Sequence, residues 1–186
     1  MLFTIQKVTP YYVNLHLIHN LYQTAFPVDE RCPFDYLLEK TSSNSIQFLA
    51  FYHQQDFVGF TYLVTSSSLI YIFYLAIDEK QRNKGYGGKI VEYIQCLFPQ
   101  LCLFLDIEII NPNADNAVQR RKRKDFYCKH HFQSSGYFYH FYHVDYEVLT
   151  YGQPFIPSQG EKLFYDFSQG HVNIRFHKES KSDQDI

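Results

Sequence analysis

The sequence has no CxxC pair. Its four cysteines, Cys32, Cys96, Cys102 and Cys128, are scattered, which fits free thiols in a reducing cytoplasm rather than a disulfide framework. A basic excess is missing too: 17 Lys plus Arg stand against 19 Asp plus Glu, for a formal net charge of −2. A dedicated nucleic-acid binder normally carries a clear basic surplus. No apolar run approaches the ~18 residues that would cross a bilayer, and Met1 to Lys7 lacks the basic-then-apolar order of a secretory leader. The expectation is a cytoplasmic protein with neither a nucleic-acid nor a membrane partner. Internal repeats are absent, and so is tryptophan.

What is present is a heavy aromatic load, 17 Tyr and 18 Phe in 186 residues. Hydrophobic residues reach 46%, enough for the core of one domain. Most aromatics belong to that core, but tyrosine also suits wet pocket walls because its hydroxyl keeps a polar handle.

Leu2 to Val8 is a strand candidate. Val13, Leu17, Leu21 and Ala25 recur at a spacing of four, which predicts a helix from Pro10 to Ala25 entered through Thr9. A second helix is expected from Phe34 to Lys40. Ile46 to Tyr52, Phe57 to Thr65 and Leu69 to Ile77, joined by short polar turns, predict an antiparallel meander. The pattern then becomes α/β. A glycine-rich loop, Asp78 to Gly88, opens a helix whose apolar face is Tyr86, Ile90, Ile94, Leu97 and Phe98. A strand from Leu101 to Ile110 follows, parallel to Leu69 to Ile77 because a helical crossover separates them. Next come a helix over Pro112 to Lys129 and strands at Gly136 to Val144 and Tyr146 to Thr150. The alternation of Val172, Ile174 and Phe176 predicts a β-hairpin over 162–176, ahead of a charged, frayed tail. The expected organisation is a domain over 1–150 and a C-terminal extension over 151–186.

The segment that carries chemistry runs from Tyr74 to Ile90. A strand enters a glycine-rich loop and the loop opens a helix, so unpaired backbone N–H groups and the helix dipole form an anion site that glycines leave accessible to phosphate. A P-loop would need GxxxxGK[ST], and neither that spacing nor a Ser or Thr after Lys89 is present. A dinucleotide fingerprint would need a third glycine at position 90, which is Ile90, and a first-strand setting, whereas three antiparallel strands precede this loop.

Arg82-Asn83-Lys84-Gly85-Tyr86-Gly87 reads R-x-x-G-x-G. In its strand–loop–helix setting it resembles the pyrophosphate motif of the GNAT superfamily, the GCN5-related N-acetyltransferases. The resemblance spans roughly Leu2 to Thr150 by element order, and the stretch from Ala25-Phe26-Pro27 to Pro33-Phe34 is similar to small bacterial members. Asn116-Ala117 followed by Phe126-Tyr127-Cys128-Lys129 and Phe132 resembles the family's second motif, departing from it at His131, where glycine is usual. The implied fold is mixed α/β, a twisted sheet of about seven strands with helices on both faces. Acetyl-CoA would bind where the strands before and after the glycine-loop helix splay apart. The implied activity is direct attack of a primary amine, of a small molecule or a peptide, on the acetyl thioester. The rival reading is a non-catalytic acyl-CoA-binding or regulatory domain on the same scaffold. Monomer and homodimer both stay open.

The resemblance assigns cofactor binding to the backbone of Leu75, Ala76 and Ile77, to Arg82, Asn83, Lys84, Gly85, Tyr86, Gly87 and Gly88, and to Asn116 and Tyr127. Tyr127 is the candidate acid for the departing thiolate, since an ordinary tyrosine stays protonated at neutral pH. Glu108 is the candidate base. It shares a strand face with Asp106, opposite Leu103, Leu105 and Ile107, and acidic residues on a central strand invite a functional explanation. Phe26, Glu30 and Tyr139, with Glu108, are candidates for the acceptor site. The basic run Arg120-Arg121-Lys122-Arg123-Lys124 reads as a solvated helix face, with one member near the cofactor's 3′-phosphate. No metal is expected, because His140 and His143 stand three apart on a strand and point to opposite faces.

Overall fold

A computed structural model describes residues 3–178. They contain five α-helices and eight strands, a mixed α/β fold. The chain forms two compact units: residues up to Thr65 with Tyr71–Tyr93, and Ser66–Ile70 with residues from Ile94 onward.

In the first unit β1 (Thr4–Lys7), β2 (Ile46–His53), β3 (Asp56–Thr65) and β4 (Leu69–Ile77) are neighbours in that order. β2 pairs antiparallel with β1 and β3. Phe48, Ala50 and Phe51 of β2 and Val58, Phe60 and Tyr62 of β3 are fully buried. The meander expected from the short turns is therefore present, and β-rich, aromatic residues build it.

Helix α1 (Leu15–Ala25) is shorter than the spacing of apolar residues predicts. Residues 10–14 turn instead, with Tyr12 N–H donating to the Thr9 carbonyl and Leu15 N–H to Tyr12. Side chains override propensity here: the Tyr12 hydroxyl lies 2.6 Å from that of Tyr52 and donates to Gln6, while Asn14 Nδ2 donates to Tyr52. Val13, placed on the helix stripe by the sequence, is 90% exposed. Helix α2 (Phe34–Lys40) forms where expected.

The segment between α1 and α2 is tied to β4 through one tyrosine. Tyr74 Oη donates to the Glu30 carbonyl (2.9 Å) and accepts from the Cys32 N–H (3.1 Å) and from Tyr22 Oη (3.2 Å). A buried backbone N–H needs such a partner.

In the second unit the order is β5 (Cys102–Glu108), β7 (Val144–Gly152), β6 (Gln133–Phe141) and β8 (His177–Lys178), all antiparallel neighbours. The start of β4 belongs to this unit, and there Cys102 N–H donates to the Ser68 carbonyl (3.2 Å). β5 thus begins beside the beginning of β4, as a parallel crossover through α3 (Tyr86–Leu97) requires.

Three further differences from the sequence reading have a visible cause. Helix α4 (Ala117–Lys129) starts five residues later than Pro112, because Asn111 Oδ1 accepts from Asn113 N–H and holds a turn ahead of it. The β6–β7 turn falls at Tyr142-His143 rather than at Asp145, with Tyr142 in the left-handed region (φ 52°). The expected hairpin over 162–176 is absent: helix α5 (Pro157–Phe167) takes its first half, and residues 171–176 form no strand. Pro157 is well placed in a first turn, and Gly160, Leu163 and Phe164 make the buried stripe. A Cβ at Gly160 would lie 2.7 Å from the Phe155 ring and 2.8 Å from Phe176, so the glycine lets both rings pack on the helix. The frayed tail expected from His177 onward lies, beyond Lys178, outside the described residues.

Candidate active site

In the first unit the glycine-rich loop is held from both sides. Asp78 N–H donates to the Val58 carbonyl of β3, and Asp78 Oδ1 accepts from Lys80 N–H, capping a 3-10 turn over Glu79–Gln81. Arg82 Nε folds back to the Ile77 carbonyl (3.2 Å) at the end of β4, and Lys84 Nζ donates to Gln81 Oε1. Asn83 and Gly85 take left-handed backbone, φ 61° and 77°. The first backbone bond running four residues back into α3 is from Lys89 N–H to the Gly85 carbonyl (3.3 Å). The N–H groups of Tyr86, Gly87 and Gly88 precede that ladder and are free to receive an anion. Residues 82–85 are exposed, and a Cβ built at Gly85 would meet nothing within 4 Å, so the space above the loop is open. The residues present fit a diphosphate: backbone donors, a helix N-terminus and cationic Arg82, Lys84 and Lys89 around it.

Just upstream, Leu75 to Ile77 run along β3. Thr61 Oγ1 donates to the Tyr74 carbonyl (2.9 Å), and a Cβ at Gly59 would fall 2.1 Å from the Ala76 carbonyl oxygen. Gly59, which the sequence reading passed over, is what lets β3 approach β4 there. Its signal was a glycine inside an otherwise apolar strand, which often marks close backbone approach. Tyr86 is anchored by Phe3 (centroids 5.8 Å) and His53 (5.4 Å), which fixes the start of α3. Phe26 packs edge-on against Tyr74 at 4.7 Å, and Glu30 enters the same cluster through its carbonyl.

In the second unit the expected site residues are Glu108, Asn116 and Tyr127. Glu108 is buried, with Oε1 2.7 Å from Arg120 Nη2 and Oε2 accepting from Asn116 Nδ2 at 3.1 Å. Lys124 Nζ reaches Glu147, also buried, at 2.7 Å. Two members of the basic run therefore turn inward to strand carboxylates, whereas a solvated face with one member near the cofactor's 3′-phosphate was the expectation. Arg120 and Lys124 are one helical turn apart, so they share a face, and Tyr127 continues it. Tyr127 is half-buried against Phe126 and Phe132.

A family model described as the acetyltransferase (GNAT) family matches residues 15–122, over half of the sequence. The chain belongs to the GNAT acetyltransferases. Solved structures agree on the fold. A GNAT-family acetyltransferase of Bacteroides thetaiotaomicron is 19% identical over 91% of this chain and 99% of its own, with a TM-score of 0.70. An aminoglycoside 6′-N-acetyltransferase complexed with coenzyme A is 13% identical, TM-score 0.62, over 80% and 96%. A spermidine N-acetyltransferase mutant from Vibrio cholerae is 16% identical, TM-score 0.60, over 81% and 93%. No curated protein matches the sequence. No helix among the described residues is long and apolar enough to cross a membrane.

As a GNAT protein, the chain has acetyl-CoA as its cofactor. The departure at His131 is accommodated rather than disruptive. His131 takes φ 67°, the left-handed conformation that glycine would supply, and the turn closes through His131 N–H to the Cys128 carbonyl and Phe132 N–H to Tyr127. Tyr139 has a different setting from the pocket wall expected of it. It is buried, stacked on Tyr146 at 5.1 Å and packed against Phe164 and Phe176, inside the aromatic layer under α5.

Burial pushes the Tyr127 hydroxyl up to about 12, with Arg123 opposing and Asp106 reinforcing the rise. Burial lifts Tyr22 to about 12 as well, and raises Tyr12, Tyr62 and Tyr74 further. Unfolded tyrosines ionise near pH ~10. Folded values above that mean that stability is complete below pH ~10 and is lost as pH rises through the folded values. An alkaline titration followed by circular dichroism should show unfolding begin between about pH 10 and 12. A fold unchanged beyond pH ~12 would show that these hydroxyls ionise without cost.

Proposed function

We propose that this protein transfers the acetyl group of acetyl-CoA to the primary amine of a small molecule or peptide. The observation that carries the reading is the Arg82–Gly88 segment, exposed at residues 82–85, whose glycine backbone and unladdered N–H groups open α3. The amine class is supported by the names of two fold neighbours, which act on an aminoglycoside and on spermidine.

Bound acetyl-CoA supplies an acetyl group activated as a thioester. In this reading the loop N–H groups, with Arg82, Asn83 and Lys84, hold the diphosphate. The backbone of Leu75, Ala76 and Ile77 lies along the arm and donates to the carbonyl oxygen, where negative charge develops. Asn116 contacts the same arm. Glu108 takes the proton that the amine must lose: each of its oxygens uses one lone pair on Arg120 or Asn116 and keeps another. Tyr127 Oη gives a proton to the departing sulfur. Its raised value keeps it protonated across the neutral range. Phe26 and Glu30 face the acceptor.

Free-thiol release from acetyl-CoA across polyamines, aminoglycosides, amino acids and peptides tests the reading, with turnover expected for at least one amine. Acetyl-CoA binding with no thiol release on any amine would identify a non-catalytic acyl-CoA-binding domain instead. With a working acceptor, Tyr127→Phe should lower the maximal rate about 10²-fold, the low end for acid catalysis because a thiolate leaves readily. Cofactor affinity should barely move. A Phe variant within about twofold of wild-type turnover would defeat the acid assignment.

A further inference from the structure

Asn116 occupies the N-cap position of α4, where an asparagine side chain normally accepts a hydrogen bond from the first-turn N–H groups. It makes no such bond. Its Oδ1 accepts from Arg120 Nε at 2.6 Å instead, and its Nδ2 donates to Glu108 Oε2. Arg120 closes the ring through Nη2 to Glu108 Oε1 and sends Nη1 to the Ile109 carbonyl at 2.8 Å. Helix capping is given up, and a guanidinium fork orients one amide, one carboxylate and the backbone at the end of β5. A local rule broken in favour of a closed polar ring marks a position chosen for something other than helix stability.

The ring is also well protected. The Arg120 side chain is 17% exposed and that of Glu108 8%. Planar guanidinium geometry matches both faces of this arrangement, which a lysine's single ammonium does not.

We propose that Arg120 is a positioning residue for acetyl transfer, setting the Asn116 amide toward the cofactor and the Glu108 carboxylate toward the acceptor. The proposal rests on the acetyltransferase reading above. Arg120 touches no reacting atom and acts through its two partners.

The test uses the full chain as wild type, Arg120→Met, Arg120→Lys, Glu108→Gln and the double variant Glu108→Gln/Arg120→Met. Circular dichroism checks folding, calorimetry gives the acetyl-CoA Kd, and steady-state kinetics give kcat and acceptor KM. Arg120→Met should weaken acetyl-CoA about three- to tenfold through the released Asn116, and lower kcat about tenfold or more with little change in acceptor KM. Arg120→Lys should recover part of kcat. Adding Arg120→Met to Glu108→Gln should lower kcat by less than about twofold more, because groups acting through one another are not additive. Arg120→Met leaves Glu108 buried without its cation and risks misfolding. The double variant removes both charges, so its comparison with Glu108→Gln decides the matter if the single variant fails to fold. Additive losses, or unchanged Kd and kcat in folded Arg120→Met, would overturn the proposal. A wild type that binds acetyl-CoA but releases no thiol refutes the transfer reading alone, and the Kd comparison then decides Arg120 by itself.

Discussion

Gly87→Glu should abolish acetyl-CoA binding at concentrations that saturate the wild type, while the protein stays folded. Gly87 is in the first turn of α3, among the N–H groups that precede the helix ladder. A side chain there occupies the space a phosphate needs, and its carboxylate opposes the phosphate charges. Two unit charges at 4 Å repel by about 1 kcal/mol in bulk water and about 4 kcal/mol at a protein surface. At about 1.4 kcal/mol per tenfold, two phosphates and a displaced backbone contact together imply a loss of about 100-fold or more. Gly87 is a half-buried residue at a helix start, where glutamate is locally favourable, and circular dichroism checks that the variant folds. Calorimetry on the folded variant measures this directly, and an unchanged Kd would place the diphosphate elsewhere.

Gly59→Ala should destabilise the fold by about 3 kcal/mol or more. The added Cβ would sit 2.1 Å from the Ala76 carbonyl oxygen and 3.1 Å from both Ala76 C and Ile77 Cα. All three atoms are backbone, so no side chain can swing away, and β3 and β4 must separate. Overpacking a core costs about 1–3 kcal/mol, and a clash with backbone belongs at the upper end or beyond. For a chain of this size each kcal/mol shifts Tm by about 2–4 °C, so a fall of about 6–12 °C is expected in a thermal melt. A Tm within about 2 °C of wild type would mean that the strands yield cheaply there. The same change displaces Ala76, one of the three residues proposed to lie along the acetyl-CoA arm. A folded Gly59→Ala should therefore bind the cofactor less tightly as well.

The parts of the molecule readable from the sequence share one physical property: they are contiguous. The meander from Ile46 to Ile77 announced itself through β-rich runs and short polar turns. The Arg82–Gly88 loop announced itself because strand, glycines and helix start follow one another, so local backbone chemistry alone produces the unladdered N–H groups there. Where the reading slipped, a distant partner had the deciding vote. The helix expected from Pro10 begins at Leu15 because Tyr12 bonds to Tyr52, forty residues on. The hairpin expected near 162–176 gave way to α5 because Gly160 admits the rings of Phe155 and Phe176, which reward a helix over an alternating strand. Tyr139 looked like one more available pocket aromatic until Tyr146, Phe164 and Phe176 closed around it.

By itself, then, the sequence determined the family, the strand–loop–helix order around Arg82–Gly88 and the placement of Tyr127 on α4, since each is written in short-range spacing. Only the tertiary structure decided what surrounds them. It paired Arg120 with Glu108 and Asn116, and Lys124 with Glu147, and it pressed Gly59 against the Ala76 carbonyl. The reason is that a run of basic residues on a helix has the same spacing whether it meets water or a strand carboxylate. Burial chooses between the two: desolvating a strand glutamate is costly, and a cation brought to it from another element offsets that cost.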